Sequence, residues 1–189
     1  MKIAILGSGG REHAITCAIA KSKKISQIFC LPGNGGTSEL AKNIDIDINN
    51  FEIVHMFLKK EDIKFVIVGP EKPLVDGIVD YLEKYNIKVF GPNKIASQLE
   101  GSKIFTKNLC KKYNIPTANF GIFENKNNAV DFLKNNNHPI VIKADNLASG
   151  KGVYVCNNFQ QSMLAVNEIF GGKFGIAKNI LVEEFLNGE

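Results

Sequence analysis

Short apolar runs recur through the first hundred residues, and each of them stops at a glycine or a proline. The runs cover residues 2–6, 27–31, 65–68 and 89–90. Apolar runs of this length with turn residues at their ends are typical of buried strands. Between them lie segments with the apolar spacing of helices, over about residues 11–22, 50–60 and 74–85. This alternation predicts a doubly wound α/β domain with a parallel sheet, in which ligands bind at the carboxyl ends of the strands.

The pattern changes after Pro92. Two helical segments, at about 94–99 and 102–113, lead to a region in which strands and helices are mixed. Strands are expected at 118–123, 140–144, 153–156 and 180–184, and helices at 126–135 and 159–170. This region is typical of a small α+β unit. We expect an N-terminal domain over 1–100, a connecting helical segment over 101–119 and a second unit over 120–189, truncated at its C-terminus because the chain stops in a polar turn directly after a strand.

Composition and charge restrict the class of protein. With 44% apolar and 22% charged residues the chain is typical of a soluble globular protein, and its formal charge of +4 does not require a nucleic-acid partner. The apolar run after Met1 is too short for a signal peptide, and no segment is long enough to span a membrane. The four cysteines are too widely spaced for a zinc site. We therefore expect a cytoplasmic protein, monomeric, with reduced thiols.

The stretch from Ile140 to Val153 is the first candidate for chemistry. A branched apolar strand delivers Lys143 and runs into a loop with Gly150, Lys151 and Gly152. Lysines beside a glycine turn suit phosphate oxygens, but an ordinary hairpin with solvated lysines would read the same. A Walker loop is excluded, because Gly152 follows Lys151 where serine or threonine is required.

The turn from Gly7 to Gly10 is the second candidate. Backbone N–H groups at the start of the following helix could bind a phosphate, or the turn could be a tight connection without a ligand. A dinucleotide site is disfavoured, because Glu12 replaces the third glycine of that fingerprint. The second strand also ends at Leu31 and Pro32 rather than at a carboxylate for a ribose hydroxyl.

Together the motifs resemble the phosphoribosylamine–glycine ligases, ATP-grasp enzymes of purine biosynthesis also called glycinamide ribonucleotide synthetases. Six motifs occur in order: Gly7-Ser8-Gly9-Gly10-Arg11-Glu12-His13, Pro32-Gly33-Asn34-Gly35-Gly36-Thr37, Val68-Gly69-Pro70-Glu71-Lys72-Pro73-Leu74, Leu99-Glu100-Gly101-Ser102-Lys103, Lys143-Ala144-Asp145 to Lys151-Gly152-Val153, and Glu183-Glu184-Phe185-Leu186. Each is weak alone, but six in this order are specific. The resemblance covers the N-terminal half of these enzymes, namely a pre-ATP-grasp domain and the lid subdomain of the grasp.

The resemblance implies ligation of glycine to 5-phosphoribosylamine through a glycyl phosphate formed with ATP. The ATP-binding residues that it implies are Lys103, Lys143, Ser149, Gly150, Lys151, Gly152, Glu183, Glu184, Phe185 and Leu186. For the substrate phosphate it implies Gly9, Gly10, Arg11 and Glu71, with the loop from Pro32 to Thr37 on the same edge, and it gives His13 no role in proton transfer. Asn146 and Ser149 depart from the glycine and alanine that the family has there.

The Mg²⁺ (or Mn²⁺) ligands of the family fall in a later segment, so we expect them beyond Glu189. The chain alone is accordingly expected to bind its ligands weakly and to be inactive, with no catalytic residue assigned within it. Two alternatives stay open: another ATP-grasp ligase, or a non-catalytic nucleotide-binding module. The expected partners are the small molecules glycine, 5-phosphoribosylamine and ATP.

Overall fold

The computed structural model describes residues 1–145, 151–175 and 178–188, and the chain divides into two compact units, Met1–Ser97 and Gln98–Glu189. The first has a parallel sheet and the second an antiparallel sheet, which confirms the predicted fold class. Within the described ranges every helix is too short or too polar to cross a bilayer.

The first unit is a five-stranded sheet in the order β3-β2-β1-β4-β5, with all neighbours parallel. Its strands are β1 (Lys2–Gly7), β2 (Gln27–Pro32), β3 (Lys42–Asn43), β4 (Phe65–Val68) and β5 (Lys88–Phe90). Its helices are α1 (Gly10–Ala20), a 3₁₀ turn (Thr37–Glu39), α2 (Phe51–Lys60), α3 (Glu71–Asp76) and α4 (Ile78–Glu83), and α5 (Lys94–Gly101) begins in it. The strand order places β1 at the centre, where connections leave in both directions.

Strand β1 is buried on both faces because alternate side chains enter different cores. Ala4 and Leu6 pack with α2 and α4, whereas Ile3 and Ile5 belong to a cluster that Ile15 and Ile19 of α1 cover. Two apolar faces explain why the strand reads as a continuous apolar run. Its carboxyl end therefore lies between those of β2 and β4, at the switch point where such sheets bind ligands.

Two details of the first unit differ from the sequence prediction. The single helix expected over 74–85 is two helices, because Gly77 adopts a φ of +101° between them. Strand β3 was not predicted, since two residues cannot show a period. The first of these helices begins at Glu71 rather than at 74, so Gly69 and Pro70 alone connect it to β4.

The second unit is a four-stranded sheet in the order β6-β9-β7-β8, with each described pair antiparallel. Its strands are β6 (Phe120–Phe123), β7 (Ile140–Ala144), β8 (Val153–Cys156) and β9 (Ile180–Glu184), and its helices are α6 (Lys103–Lys112), α7 (Lys126–Lys134) and α8 (Phe159–Phe170). Helices α7 and α8 cover one face over a core that includes Ile142, Val166 and Val182. The side chains at intervening strand positions, such as Lys143 and Glu183, therefore belong to the opposite face.

Candidate functional site

A buried glutamate organises the turn between β1 and α1. The Glu12 side chain is only 3% exposed and bends back so that Oε2 accepts the N–H of Gly9 at 2.6 Å. This is the return contact of a capping box, in which a glutamate three residues into a helix satisfies the N–H at its start. Sequence reasoning used Glu12 against a dinucleotide site and as part of a family motif, and it did not use the spacing from Gly9, which is a signal for this contact.

The same carboxylate explains three glycines. A Cβ atom would lie 2.7 Å from Glu12 at Gly7, 2.8 Å at Gly9 and 1.9 Å at Gly69, which follows β4. Gly7 also has a φ of +122°, where larger residues are strained. By contrast, nothing lies within 4 Å of a Cβ at Gly10. Gly7, Gly9 and Gly69 therefore leave room for a buried charge, whereas Gly10 faces open space.

Arg11 and Glu71 meet beside this turn. The guanidinium Nη2 lies 2.9 Å from Glu71 Oε1, and Arg11 Nε lies 3.3 Å from Glu12 Oε1. The pKa of Arg11 is raised, mainly by its hydrogen bond to Glu71, although burial acts to lower it. The pKa of Glu71 is lowered first by its own backbone N–H and then by Arg11. The structure thus brings Gly9, Gly10, Arg11 and Glu71 together, with the N–H of Gly9 already engaged and the Arg11 side chain 56% exposed.

The loop after β2 closes against the same turn. Asn34 Nδ2 donates to the carbonyl oxygens of Ser8 and Gly9 at 2.9 and 3.2 Å. Thr37 accepts the backbone N–H of Asn34 at 2.7 Å, which holds the loop in shape. The loop from Pro32 to Thr37 and the glycine turn therefore lie at the same edge of the first sheet, as predicted.

In the second unit, Lys143 and a second lysine meet a buried glutamate. Glu183 is 5% exposed, and its Oε2 lies 2.5 Å from Lys143 Nζ. Lys107 Nζ lies 3.0 Å from Oε1, an ion pair whose angles are not those of a hydrogen bond. Lys107 was missed, although it follows Lys103 by four residues and so lies on the same face of α6.

The start of α6 is fixed to the end of β7. Asp145 Oδ1 accepts the N–H of Ile104 at 3.0 Å, and the Ser102 hydroxyl lies 3.1 Å from both carboxylate oxygens. Lys103 Nζ donates to the carbonyl oxygen of Ala144 at 2.9 Å. Burial lowers the pKa of Lys103, with Asp145 opposing this shift and Lys143 adding to it. Lys103 and Lys143 are therefore brought to the same end of β7.

The loop that follows Asp145 is described only in part. Gly152 is buried, and its carbonyl oxygen accepts the N–H of Ala144 at 2.9 Å, whereas Lys151 is exposed. The predicted residues Ser149 and Gly150, together with Asn146, lie outside the described residues. Val153 and Val155 of β8 expose apolar side chains, and Val153 pairs with Lys143 across the strands. Sequence reasoning did not select these valines, which expose apolar surface beside a lysine.

The segment from Glu183 to Leu186 leaves the sheet at the other end of β9. Glu184 accepts hydrogen bonds from the backbone N–H of Asn119 at 2.9 Å and from the Asn119 side-chain amide at 3.0 Å. Both hydrogen bonds lower the pKa of Glu184, and the backbone one has the larger effect. Phe185 and Leu186 are exposed. A cavity of about 410 Å³ adjoins this segment. Its walls include Asn119, Phe120, Phe132, Glu183, Glu184 and Phe185.

Two family models together match the whole chain. The sequence model of the phosphoribosylglycinamide synthetase N domain matches residues 1–100, and that of the ATP-grasp (A) domain of the same synthetase matches residues 101–189. The chain belongs to the phosphoribosylglycinamide synthetase family. The predicted resemblance is therefore confirmed over the whole chain.

Relatives in this family are similar along all 189 residues. The chain is 43% identical to the phosphoribosylamine–glycine ligase of Clostridium acetobutylicum, covering 100% of this chain and 46% of that protein. It is 45% identical to the enzyme of Brucella melitensis, covering 100% and 44%. The chain thus spans about half the length of the curated relatives it matches.

The chain also superposes on solved structures over nearly its whole length. The phosphoribosylamine–glycine ligase of Thermotoga maritima superposes with a TM-score of 0.82 at 32% identity, over 100% of this chain and 45% of that one. An N5-carboxyaminoimidazole ribonucleotide synthetase from Thermus thermophilus superposes at 0.71 with 18% identity, over 98% and 47%, which shows the fold alone. The chain thus shares its fold with a part of that second protein.

The magnesium expected for this synthetase family has no ligand set among the residues described here. No group of three or more histidine, cysteine, aspartate or glutamate side chains in ranges 1–145, 151–175 and 178–188 could hold a metal ion. Glu12 and Glu183, the buried carboxylates, are engaged by backbone or cationic partners. The described residues therefore do not fit a metal site.

Proposed function

We propose that this chain supplies the substrate-phosphate and nucleotide-lid regions of an enzyme that ligates glycine to 5-phosphoribosylamine with ATP. The proposal rests first on one observation, the convergence of Lys103 and Lys143 at the end of β7 in a chain of this family. Two cations with an adjoining glycine segment suit a polyphosphate, because they offset charge where it accumulates.

In this proposal the γ-phosphoryl group passes to the glycine carboxylate, giving glycyl phosphate and ADP. The amine of 5-phosphoribosylamine then attacks the acyl carbon and expels inorganic phosphate. A carboxylate and a triphosphate repel each other, so the lysines are assigned to reduce that repulsion during the first step. Magnesium, when bound, would neutralise further phosphate charge, and its ligands are expected outside the described residues.

The proposed ATP contacts divide by chemistry. Lys103, Lys143 and Lys151 with Gly152 are assigned to the phosphates, as are Ser149 and Gly150 on the family resemblance alone. Backbone groups of the segment from Glu183 to Leu186 are assigned to adenine, with the exposed valines of β8 as an apolar surface. These valines lie on the face that carries Lys143, which supports a nucleotide there rather than on the face that α7 and α8 cover.

For the second substrate we assign its phosphate to the turn at Gly9 and Gly10 with Arg11. An exposed guanidinium at the start of a helix of eleven residues suits an anion. Since Glu71 already holds Arg11 at 2.9 Å, we assign Glu71 to orient the guanidinium. The N–H of Gly9 is engaged by Glu12, so Gly9 shapes the turn and Arg11 supplies the charge.

The test is ADP formation by the full-length protein that the coding sequence specifies, with each substrate omitted in turn. The proposal predicts sustained ADP release, over many turnovers, only when ATP, glycine and 5-phosphoribosylamine are all present, with one ligated product per ADP. ADP release that does not depend on the presence of glycine would point to another ATP-grasp ligase. Nucleotide binding without turnover under any combination would favour a non-catalytic module. The same assay is run on the 189-residue chain alone, which is expected to release no ADP.

A further inference from the structure

Glu183 is shared by two lysines that differ in how firmly they are held. Lys107 Nζ lies 3.0 Å from Oε1, and Lys143 Nζ lies 2.5 Å from Oε2. The carboxylate is buried, so an ionised Glu183 needs at least one cation beside it. The arrangement gives this single charge two counter-ions.

Lys107 is fixed by contacts that do not involve Glu183. Its ammonium group donates to Thr117 Oγ1 at 2.6 Å and to the carbonyl oxygen of Ala118 at 3.1 Å. It also lies 5.3 Å from the centroid of the Phe120 ring. With its side chain only 10% exposed, Lys107 has little freedom to leave.

Lys143 is held differently. Among the residues that the structure describes, its ammonium group has Glu183 as its ion-pair partner, and its side chain is 27% exposed. It lies on the sheet face that carries the exposed Val153 and Val155. At this partly exposed position Lys143 can turn from Glu183 toward an arriving anion, provided that Glu183 does not lose its only cation.

We propose that Lys107 is the resident counter-ion of Glu183, and that it allows Lys143 to exchange this carboxylate for a nucleotide phosphate. The inference rests on the assignment of Lys143 to ATP in the proposed function. Lys107 is thus a positioning residue, since it acts through Glu183 and Lys143 and does not itself touch the nucleotide. Without Lys107, departure of Lys143 would leave a buried carboxylate unpaired, which is strongly unfavourable.

The experiment measures Kd for ATP and for adenosine on the full-length protein by titration calorimetry. Lys143→Met should raise the Kd for ATP at least tenfold. Lys107→Met should raise it about tenfold as well, while the Kd for adenosine, which has no phosphate, stays within threefold of the parent protein. Adding Glu183→Gln to Lys107→Met should recover most of the lost ATP affinity, because Lys143 is then released. Lys111→Met, an exposed lysine one turn along the same helix, should leave both constants within threefold.

The possible failures are separable. If Lys143→Met leaves the Kd for ATP unchanged, the proposed function's use of Lys143 is wrong. If that variant behaves as expected but Lys107→Met leaves the Kd for ATP unchanged, or weakens adenosine equally, the inference about Lys107 is overturned. Should Lys107→Met fail to fold, Glu183→Gln is compared with the double variant. A further loss of ATP affinity beyond threefold there would also overturn the inference, since without the Glu183 charge Lys107 should have no effect.

Discussion

The two units each place a buried glutamate at the centre of a candidate anion site, but they surround it with different groups. In the first unit, Glu12 accepts a backbone N–H and lies beside Arg11, with glycines around it. In the second, Glu183 is flanked by Lys107 and Lys143. Both carboxylates are at most 5% exposed, yet one is held by the main chain and the other by side chains.

This difference indicates how each site is prepared for its ligand. A carboxylate tied to Gly9 fixes the backbone of the turn, so the shape of the first site exists before a substrate arrives. Lysine side chains rotate, so the polyphosphate site proposed for the second unit is built from groups that can redistribute their charges. The backbone of the first site is fixed by the contact between Glu12 and Gly9, with Arg11 as its exposed cation, whereas the charges of the second site lie on lysine side chains.

Among the substitutions that test this difference between the two units, Gly69→Ala is expected to lower the free energy of unfolding most. Its Cβ would lie 1.9 Å from Glu12 Oε1, so the buried carboxylate would have to leave the N–H of Gly9. We expect a loss of about 3 kcal/mol in the free energy of unfolding, the upper end for overpacking a buried site. Urea denaturation followed by circular dichroism measures it.

Two controls decide whether Glu12 is the cause. Gly10→Ala adds the same methyl group where nothing lies within 4 Å, and should not lower stability. In a Glu12→Ala background, Gly69→Ala should cost less than about 1 kcal/mol, because the obstacle is gone. An equal cost in both backgrounds would show that Glu12 does not explain the glycine.

A smaller loss is expected from Asp145→Ala in the second unit. This change removes the acceptor of the Ile104 N–H and of the Ser102 hydroxyl at the start of α6. Loss of such a helix cap typically costs about 1–2 kcal/mol. Asp131→Ala is the matched control, since Asp131 forms an exposed pair with Lys134 and its removal should change stability by less than about 0.5 kcal/mol. Equal effects of the two substitutions would argue against a fixed α6.

The smallest expected effect is a change in the pKa of Glu71 when Arg11 is replaced. The pKa of Glu71 is lowered in the folded protein, so its contribution to stability is present above the unfolded-state pKa of about 4.3 and is lost as pH falls through the folded value. Arg11→Gln should raise the pKa of Glu71 only part of the way, because the stronger cause, its own backbone N–H, remains.

Carboxylate titration by NMR measures this shift. Glu184 is the internal control, because its pKa is lowered by Asn119 in the other unit and should not move. If the pKa of Glu71 is the same with and without Arg11, the ion pair does not orient the guanidinium in solution.

Most of the fold could be predicted because its strands are long enough to show a pattern. Residues 65–68, 153–156 and 180–184 form strands with the expected bounds. The pattern could not show the break at Gly77, since the apolar spacing continues through it and only the φ of +101° interrupts the helix.

The candidate sites were predictable only where a motif carries them. Arg11, Glu71, Lys103 and Lys143 stand in recognisable motifs, and the structure places Arg11 beside Glu71 and both lysines at the end of β7. In the second unit the buried partners are set by tertiary contacts between residues that lie 10 to 76 positions apart in the sequence. Lys107, for example, meets Glu183 only once α6 and β9 are folded. The roles of all these residues in binding stay predictions.

The most direct test of the account is a coupled ADP assay on the full-length protein with ATP, glycine and 5-phosphoribosylamine, comparing Lys143→Ala with Lys134→Ala. Lys134 is an exposed lysine that pairs with Asp131 on α7, so its removal should change kcat/KM for ATP by less than twofold. Lys143→Ala should lower it by about 10²-fold, the usual effect of removing one group that stabilises charge in the transition state. A Lys143→Ala enzyme within twofold of the parent would contradict the nucleotide site proposed for the second unit.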